Sequence, residues 1–315
     1  MYTWWAMERN RRLLLSLMIL LLAALPFSVL GAEIPGAGDA AHFLRDGLGA
    51  SGRGVGSAYV ALANDYTAAF WNPAPVVQSP STVVGGGLEH RNGGLFTFNV
   101  LGGLYTAETW SVGLVILASD LYDVYHVAGG ARFGATSIGL AIKSYQFGIL
   151  GERGSGLGLD VGARCALTLH GSTVLLAVVS RDIGWTPIRW SENGSLAVDR
   201  AAWVHRLAVA VAVPLEQGEW TLEFDGELAT RRPPGLGETA YWEQTGELNL
   251  SMGTVFRWGG LRIRGGVQRL DLLGSGGRFR PTVGLGVDVG ALSIDLAFVP
   301  SVLGPTYMGG FEVCY

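Results

Sequence analysis

The chain is short of the residues from which metal sites, stapled folds and most catalytic centres are built. It has two cysteines and five histidines in 315 residues, and no Cys-x-x-Cys or His-Glu-x-x-His spacing occurs among them. That excludes the usual sequence patterns of a structural zinc or zincin site, so no metal and no cofactor are expected. Charge is sparse, at 15 % of the residues. Setting aside Glu8, Arg9, Arg11 and Arg12 takes the counts from 22 basic and 26 acidic residues to 19 and 25, a net charge of −6. A mildly acidic chain lacks the basic footprint of a nucleic-acid binder. Gly52, Gly54 and Gly56 follow one another as Gly-x-Gly-x-Gly, not in the dinucleotide-binding spacing, and no strand of a βαβ unit precedes them. No Ser/His/Asp order, paired catalytic carboxylates or phosphate loop stands out, and His126, His170 and His205 fall on separate segments. The expectation is a protein that is not an enzyme.

Long hydrophobic runs are also missing, with one exception. Arg9, Arg11 and Arg12 precede the apolar run Leu13 to Leu25, followed by Pro26 and small residues ending in Gly31-Ala32. This is the three-part layout of a secretory signal peptide, predicted over residues 1–32 with cleavage near Ala32. The run is shorter than the roughly 20 residues a spanning helix needs. No cysteine follows it to accept a lipid. Beyond residue 32 no apolar run crosses a bilayer as a helix, yet mean hydropathy is +0.33 and 49 % of the residues are hydrophobic. Apolar content without spanning helices is what a transmembrane β-barrel produces, because lipid-facing and lumen-facing residues alternate.

The abundant residue is glycine, 48 of 315, scattered through strand-like segments and not gathered into a linker. From Thr82 to Tyr315 a period-2 pattern divides into fourteen segments, an even number as expected of a single-chain bacterial barrel. The connections predicted at one end are short: Thr106 to Glu108, Phe133 to Ala135, His170-Gly171, Leu215 to Gly218, Trp258 to Gly260, and Gly290. Those at the other end are longer: Ser119 to Asp123, Gly148 to Ser155, Gly184 to Ala201, Arg231 to Thr245, and Asp271 to Phe279. Short turns inside and long loops outside are the asymmetry of outer-membrane barrels.

Parity assigns faces. Trp220, Leu222, Phe224 and Leu228 share one face of a segment whose other face carries Glu219, Glu223, Asp225 and Glu227. Arg257, Arg262 and Arg264 take the inward parity of the next two segments, as do Asp160, Arg164, Arg206, Asp288, Asp295 and Glu312 in theirs. The lumen is thus expected to be crossed by ion pairs. Cys165 falls on the lipid face and Cys314 on the opposite parity, so no disulfide is expected. Trp110, Trp203, Trp220, Trp242 and Trp258 lie near strand ends or in loops, where an aromatic girdle would sit. In the last segment Phe311, Val313 and Tyr315 share one face, an alternation closing on an aromatic that is similar to the insertion signal read by the barrel-assembly machinery.

Residues 33–81 break this pattern. Their small residues pack closely, Asp65 is placed to cap Tyr66 to Trp71, and Pro73 ends any helix there. A compact hatch inside an 82–315 barrel is predicted. The run FLRDGLGASGRGVGSAYVALANDYTAAFWNPA resembles the N-terminal signature of the PorV/PorQ family, within the FadL-like group of outer-membrane proteins. SIGLAIKSYQF, LGLDVGARCAL and GLGVDVGALSIDLAFVPSVLGPTYMGGFEV extend the resemblance over Ala41 to Tyr315. It implies a fourteen-stranded barrel in the bacterial outer membrane, surrounded by lipid and filled by a hatch. Asn72, Pro73 and Ala74 map onto the hatch turn, and Asp65 onto the acidic position before it. The chain departs from the family pattern at Pro75-Val76, where a Gly-Leu pair commonly stands. The resemblance implies passage of hydrophobic small molecules. Its alternatives are an accessory of type IX secretion that binds exported proteins at the outer loops, and a purely structural barrel.

Overall fold

A computed structural model describes residues 40–74, 81–149, 151–192, 195–231, 245–270 and 278–315. The predicted signal peptide and Trp242 lie outside the described residues. Among the described residues three short helices come first: α1 (His42–Arg45), α2 (Ala50–Gly54) and α3 (Ala68–Trp71). Sixteen strands follow among the described residues: β1 (Ser81–Arg91), β2 (Phe96–Thr106), β3 (Trp110–Ala118), β4 (Tyr122–Phe133), β5 (Thr136–Ile149), β6 (Glu152–Leu169), β7 (Ser172–Arg181), β8 (Pro187–Glu192), β9 (Ser195–Arg200), β10 (Trp203–Leu215), β11 (Gly218–Arg231), β12 (Thr245–Trp258), β13 (Leu261–Leu270), β14 (Arg278–Val289), β15 (Leu292–Val299) and β16 (Thr306–Cys314).

Fourteen of these form one closed antiparallel cylinder. Each strand pairs with its neighbours in sequence, β7 pairs with β10, and the ladder between β1 and β16 seals the ends, from Val83 opposite Cys314 to His90 opposite Tyr307. Closure leaves no wall strand with an unpaired edge, which is the condition for crossing hydrocarbon. β15 shows the alternation in its simplest form. Leu292, Ile294, Leu296 and Phe298 are exposed on the outside, while Ser293, Asp295, Ala297 and Val299 are buried within. At one end the hairpins are tight, with Gly134, Gly171, Gly259 and Gly290 at positive φ, the backbone region that two-residue turns require. The outward rings Tyr105, Trp110, Trp220 and Trp258 cluster near this end, Tyr105 and Trp110 with centroids 5.2 Å apart. Trp203 starts β10 at the opposite end, where its indole donates to the Ser180 hydroxyl.

Two expected loops are strands. Gly184 to Ala201 folds into the β8–β9 hairpin, which adds to the long-loop end of β6 through Arg153, Gly154 and Ser155. The cue was present as Asn193-Gly194 between two β-prone runs, a hairpin dipeptide. Gly148 to Ser155 is likewise no open loop, since β5 and β6 remain paired up to Ile149 opposite Glu152. Cys165 and Cys314 are both free thiols on opposite parities.

The three helices lie inside the cylinder. Ala40 donates its N–H to the Arg200 carbonyl at the long-loop end, and Ser81 begins β1 beside the short turn, opposite Thr106. Residues 40–74 therefore run along the lumen, from the long-loop end to Gly139 near the short turn that precedes β5. Where its backbone grazes the wall, the wall residue is glycine. A Cβ added at Gly102 would run into the Tyr66 carbonyl, and one at Gly162 into Asn72 and Pro73.

Candidate functional site

The hatch has three helices of four or five residues each, so most of its backbone polar groups find no partner within it. Buried without partners, each would cost on the order of 1–3 kcal/mol. The charged residues of the wall supply the partners. Near the mouth, Arg91 of β1 donates to the carbonyls of Phe43 and Gly47, both at 2.7 Å, and is itself paired with Glu89 at 2.6 Å. The other Glu89 oxygen accepts the Gly49 N–H at 2.6 Å. Deeper in, Arg206 donates to the Ser57 carbonyl and pairs with Asp225 at 2.8 Å. Glu223 accepts the Ala61 N–H at 2.7 Å, and Arg164 donates to the Val60 carbonyl at 2.9 Å. Glu312 accepts the Tyr66 N–H at 3.2 Å, and Arg181 donates to the Trp71 carbonyl at 2.8 Å. The wall charges thus do for the hatch what water does for an exposed loop.

The hatch side chains complete the fit. Arg45 forks onto Glu227 at 2.8 Å and Glu247 at 2.8 Å, and Ser51 donates to Asp295 at 3.1 Å. Asp65 accepts the N–H and hydroxyl of Thr67, which opens α3. Asn72 accepts the Ala74 N–H at 2.9 Å and donates to Val60, folding Asn72-Pro73-Ala74 into a compact turn against Gly139 and Gly162. Arg181 stacks over Phe70 and Arg206 over Trp71.

Of the charges assigned inward by parity, Asp160, Arg164, Arg206, Glu223, Asp225, Glu227, Arg262, Arg264, Asp295 and Glu312 are buried in the lumen. Asp295 gathers Arg264 at 2.6 Å and Arg262 at 3.4 Å, and Arg262 reaches Asp288 at 2.7 Å. Glu219, Arg257 and Asp288 are inward but sit near the short turns, where Arg257 is exposed. Phe311, Val313 and Tyr315 fall on the outer face, with Phe311 and Tyr315 exposed.

Residues missed from sequence form a second cluster. His126, set apart from the other histidines in the sequence, is buried with Nε2 3.2 Å from Asp160. Lys143 lies between two carboxylates, 3.0 Å from Asp160 and 2.6 Å from Asp182. Asp182 also accepts the Tyr145 and Thr186 hydroxyls. Strand parity marks His126 and Lys143 as inward, as it does Glu89 and Arg91. Asp182 lies just beyond β7, where no parity applies.

The long-loop mouth is different in character. Phe43 of the hatch packs against Phe98, Tyr122 and Phe147 with centroids 5.6, 4.7 and 6.4 Å away. Phe147 stacks in turn on Trp190 of the β8–β9 hairpin at 5.6 Å. Phe43, Phe96, Tyr122 and Trp190 are only half-buried, so the cluster presents ring surface above a charged, filled lumen. Below it, two voids between hatch and wall measure about 20 and 10 Å³, each the size of a single water.

No protein-family model and no curated protein matches the chain. Among solved structures, the toluene transporter TodX of Pseudomonas putida superposes with a TM-score of 0.48 at 10 % identity, over 85 % of this chain and 96 % of that one. The Acinetobacter baumannii outer-membrane protein Omp33 gives 0.45 at 12 % identity, over 75 % and 98 %. CdiB from the same organism gives 0.43 at 8 % identity, over 76 % and 60 %. The assignment of the fold rests on the strand ladder itself: an all-β, closed fourteen-stranded antiparallel barrel.

Proposed function

We propose that this barrel resides in the bacterial outer membrane and takes up hydrophobic small molecules, with the hatch as its gate. The observation that carries the reading is the aromatic mouth. Rings of the hatch, the wall and the hairpin converge there in a half-exposed group that favours flat or hydrocarbon ligands over ions and sugars. Phe43 belongs to both the mouth and the hatch, so a ligand that displaces it from the wall rings also pulls on α1. Asp65 and the Asn72-Pro73-Ala74 turn hold the lower end, and the lumen charges hold the middle. The expected result is that cells carrying Phe43→Ala with Trp190→Ala take up a labelled monoaromatic hydrocarbon at least several-fold more slowly than wild type. Equal uptake at equal barrel abundance would count against the proposal.

A second reading, docking of exported proteins at the outer loops, draws on the water-sized voids of the lumen and on the hairpin that lengthens the wall at its long-loop end. It expects a deletion strain to lose surface display of cargo while hydrocarbon uptake stays unchanged.

A further inference from the structure

The outer wall of a barrel is normally a continuous apolar surface, with bulky side chains filling each outward position. Here it has a gap. Gly309 of β16 points outward between Leu88 of β1 and Leu296 of β15, with Tyr307 two residues away on the same face. A Cβ built on Gly309 would meet only the end of Leu296, at 3.5 Å. The missing side chain opens a depression of about 610 Å³, floored by Gly309 and walled by Leu88, Val283, Leu285, Leu296 and Phe298. That volume lies in the range of small-molecule sites, and the walls are almost wholly apolar.

Its place in the barrel says what covers it. Every wall residue belongs to the outward apolar face, so the surroundings are hydrocarbon. The depression also has a polar end. His90 and Tyr307 are paired across β1 and β16 next to the long-loop rim, and His90 Nδ1 is 2.9 Å from the Thr97 hydroxyl, leaving Nε2 for a ligand. The lining residues include no lysine or arginine, so the rim suits a zwitterionic head group better than a multiply phosphorylated one.

We propose that this depression is a lipid site: one acyl chain of a glycerophospholipid seats over Gly309, with its head group at His90 and Tyr307. The inference requires only that the barrel spans a membrane, and it stands whether or not small molecules pass through the lumen. Across the wall the same strands support α2, with Gly54 in van der Waals contact with Gly284. The lipid and the hatch thus press on opposite faces of β14 and β15.

The test is native mass spectrometry of the full chain, extracted in mild detergent and titrated with phosphatidylethanolamine. The wild type is expected to keep one phospholipid at activation energies that strip the rest. Gly309→Leu fills the socket and is expected to reduce that retained fraction at least tenfold. Leu88→Trp narrows the socket from β1 without touching the glycine and should do the same. Gly226→Leu fills another outward glycine position, where a Cβ meets the end of Leu250 at 3.7 Å and the Leu207 carbonyl at 4.0 Å, and should leave retention unchanged. Equal retention in all four proteins overturns the proposal. So does a dimer in the wild type that Gly309→Leu abolishes, which would assign the depression to a second copy of the chain.

Discussion

Glu223 of β11 accepts the backbone N–H of Ala61 in the hatch at 2.7 Å, and no atom of either residue is reached by solvent to any useful extent. A carboxylate placed against one main-chain donor, deep in a barrel, is an anchor for a segment that has no ladder of its own. Glu223→Ala would leave that donor buried and unpaired, at a cost of roughly 1–3 kcal/mol. Glu223→Gln keeps an acceptor at the same position and should recover most of the loss. Guanidinium unfolding in detergent measures both; equal losses for Ala and Gln would mean that the contact does not hold the hatch.

Lys143 lies between Asp160 and Asp182. Lys143→Met would strand both carboxylates, an effect on the order of 3–5 kcal/mol for a buried pair broken on one side. Adding Asp182→Asn removes one of the stranded charges and should restore part of the loss. A double mutant that behaves as the sum of the two single variants would show that the three groups do not act together.

Gly162 marks where the Asn72-Pro73 turn presses on β6. Gly162→Val should push the turn from its seat and destabilise the folded state by about 1–3 kcal/mol, the usual range for overpacking. Planar-bilayer recordings should show current through the variant where the wild type is closed. Gly148→Val is the control, since a Cβ there meets nothing within 4 Å.

Asp46 supplies a pH dependence. Burial alone would raise its pKa, but Arg280 at 3.0 Å, with Arg53 and Arg91, overcomes this and holds the carboxyl well below its usual 3.8. A depressed carboxyl stabilises the fold fully above its unfolded pKa and loses that contribution as pH falls below it. The thermal midpoint of the wild type should therefore exceed that of Asp46→Asn at pH 6, by about 2–4 °C for each 1 kcal/mol the pair contributes. The gap should begin to narrow at about pH 4, the unfolded carboxyl value, and shrink progressively as pH falls further. A gap independent of pH would refute the assignment.

The wall was legible because one rule governs it. A strand with an apolar outer face on one side and a filled lumen on the other must alternate, and Leu292 to Val299 does so without a break. The same parity marks His126 and Lys143 as inward, although neither looked notable in isolation. What each inward charge touches was not legible, because Glu223 meets Ala61 and Arg181 meets Trp71 only through the shear of the cylinder and the path of the hatch. The aromatic mouth was hidden for a related reason: Phe43, Phe98, Phe147 and Trp190 come from four distant segments. The β8–β9 hairpin was different, since Asn193-Gly194 announced it and the length of the stretch obscured it.

Tyr66 reaches Gly85 and Gly87 on β1 and Gly310 on β16, so one hatch residue lies across the junction where the first strand of the cylinder meets the last. The ladder that makes the sheet endless is the one with Tyr66 as its inner clasp. An assembling barrel that brought β16 home with the lumen vacant would leave that groove of glycines facing nothing, with the Glu312 carboxylate buried beside it. Zipping the cylinder and docking residues 40–74 are on this account a single cooperative step, and a lesion in the hatch would register as a defect in barrel assembly before it registered as a leak.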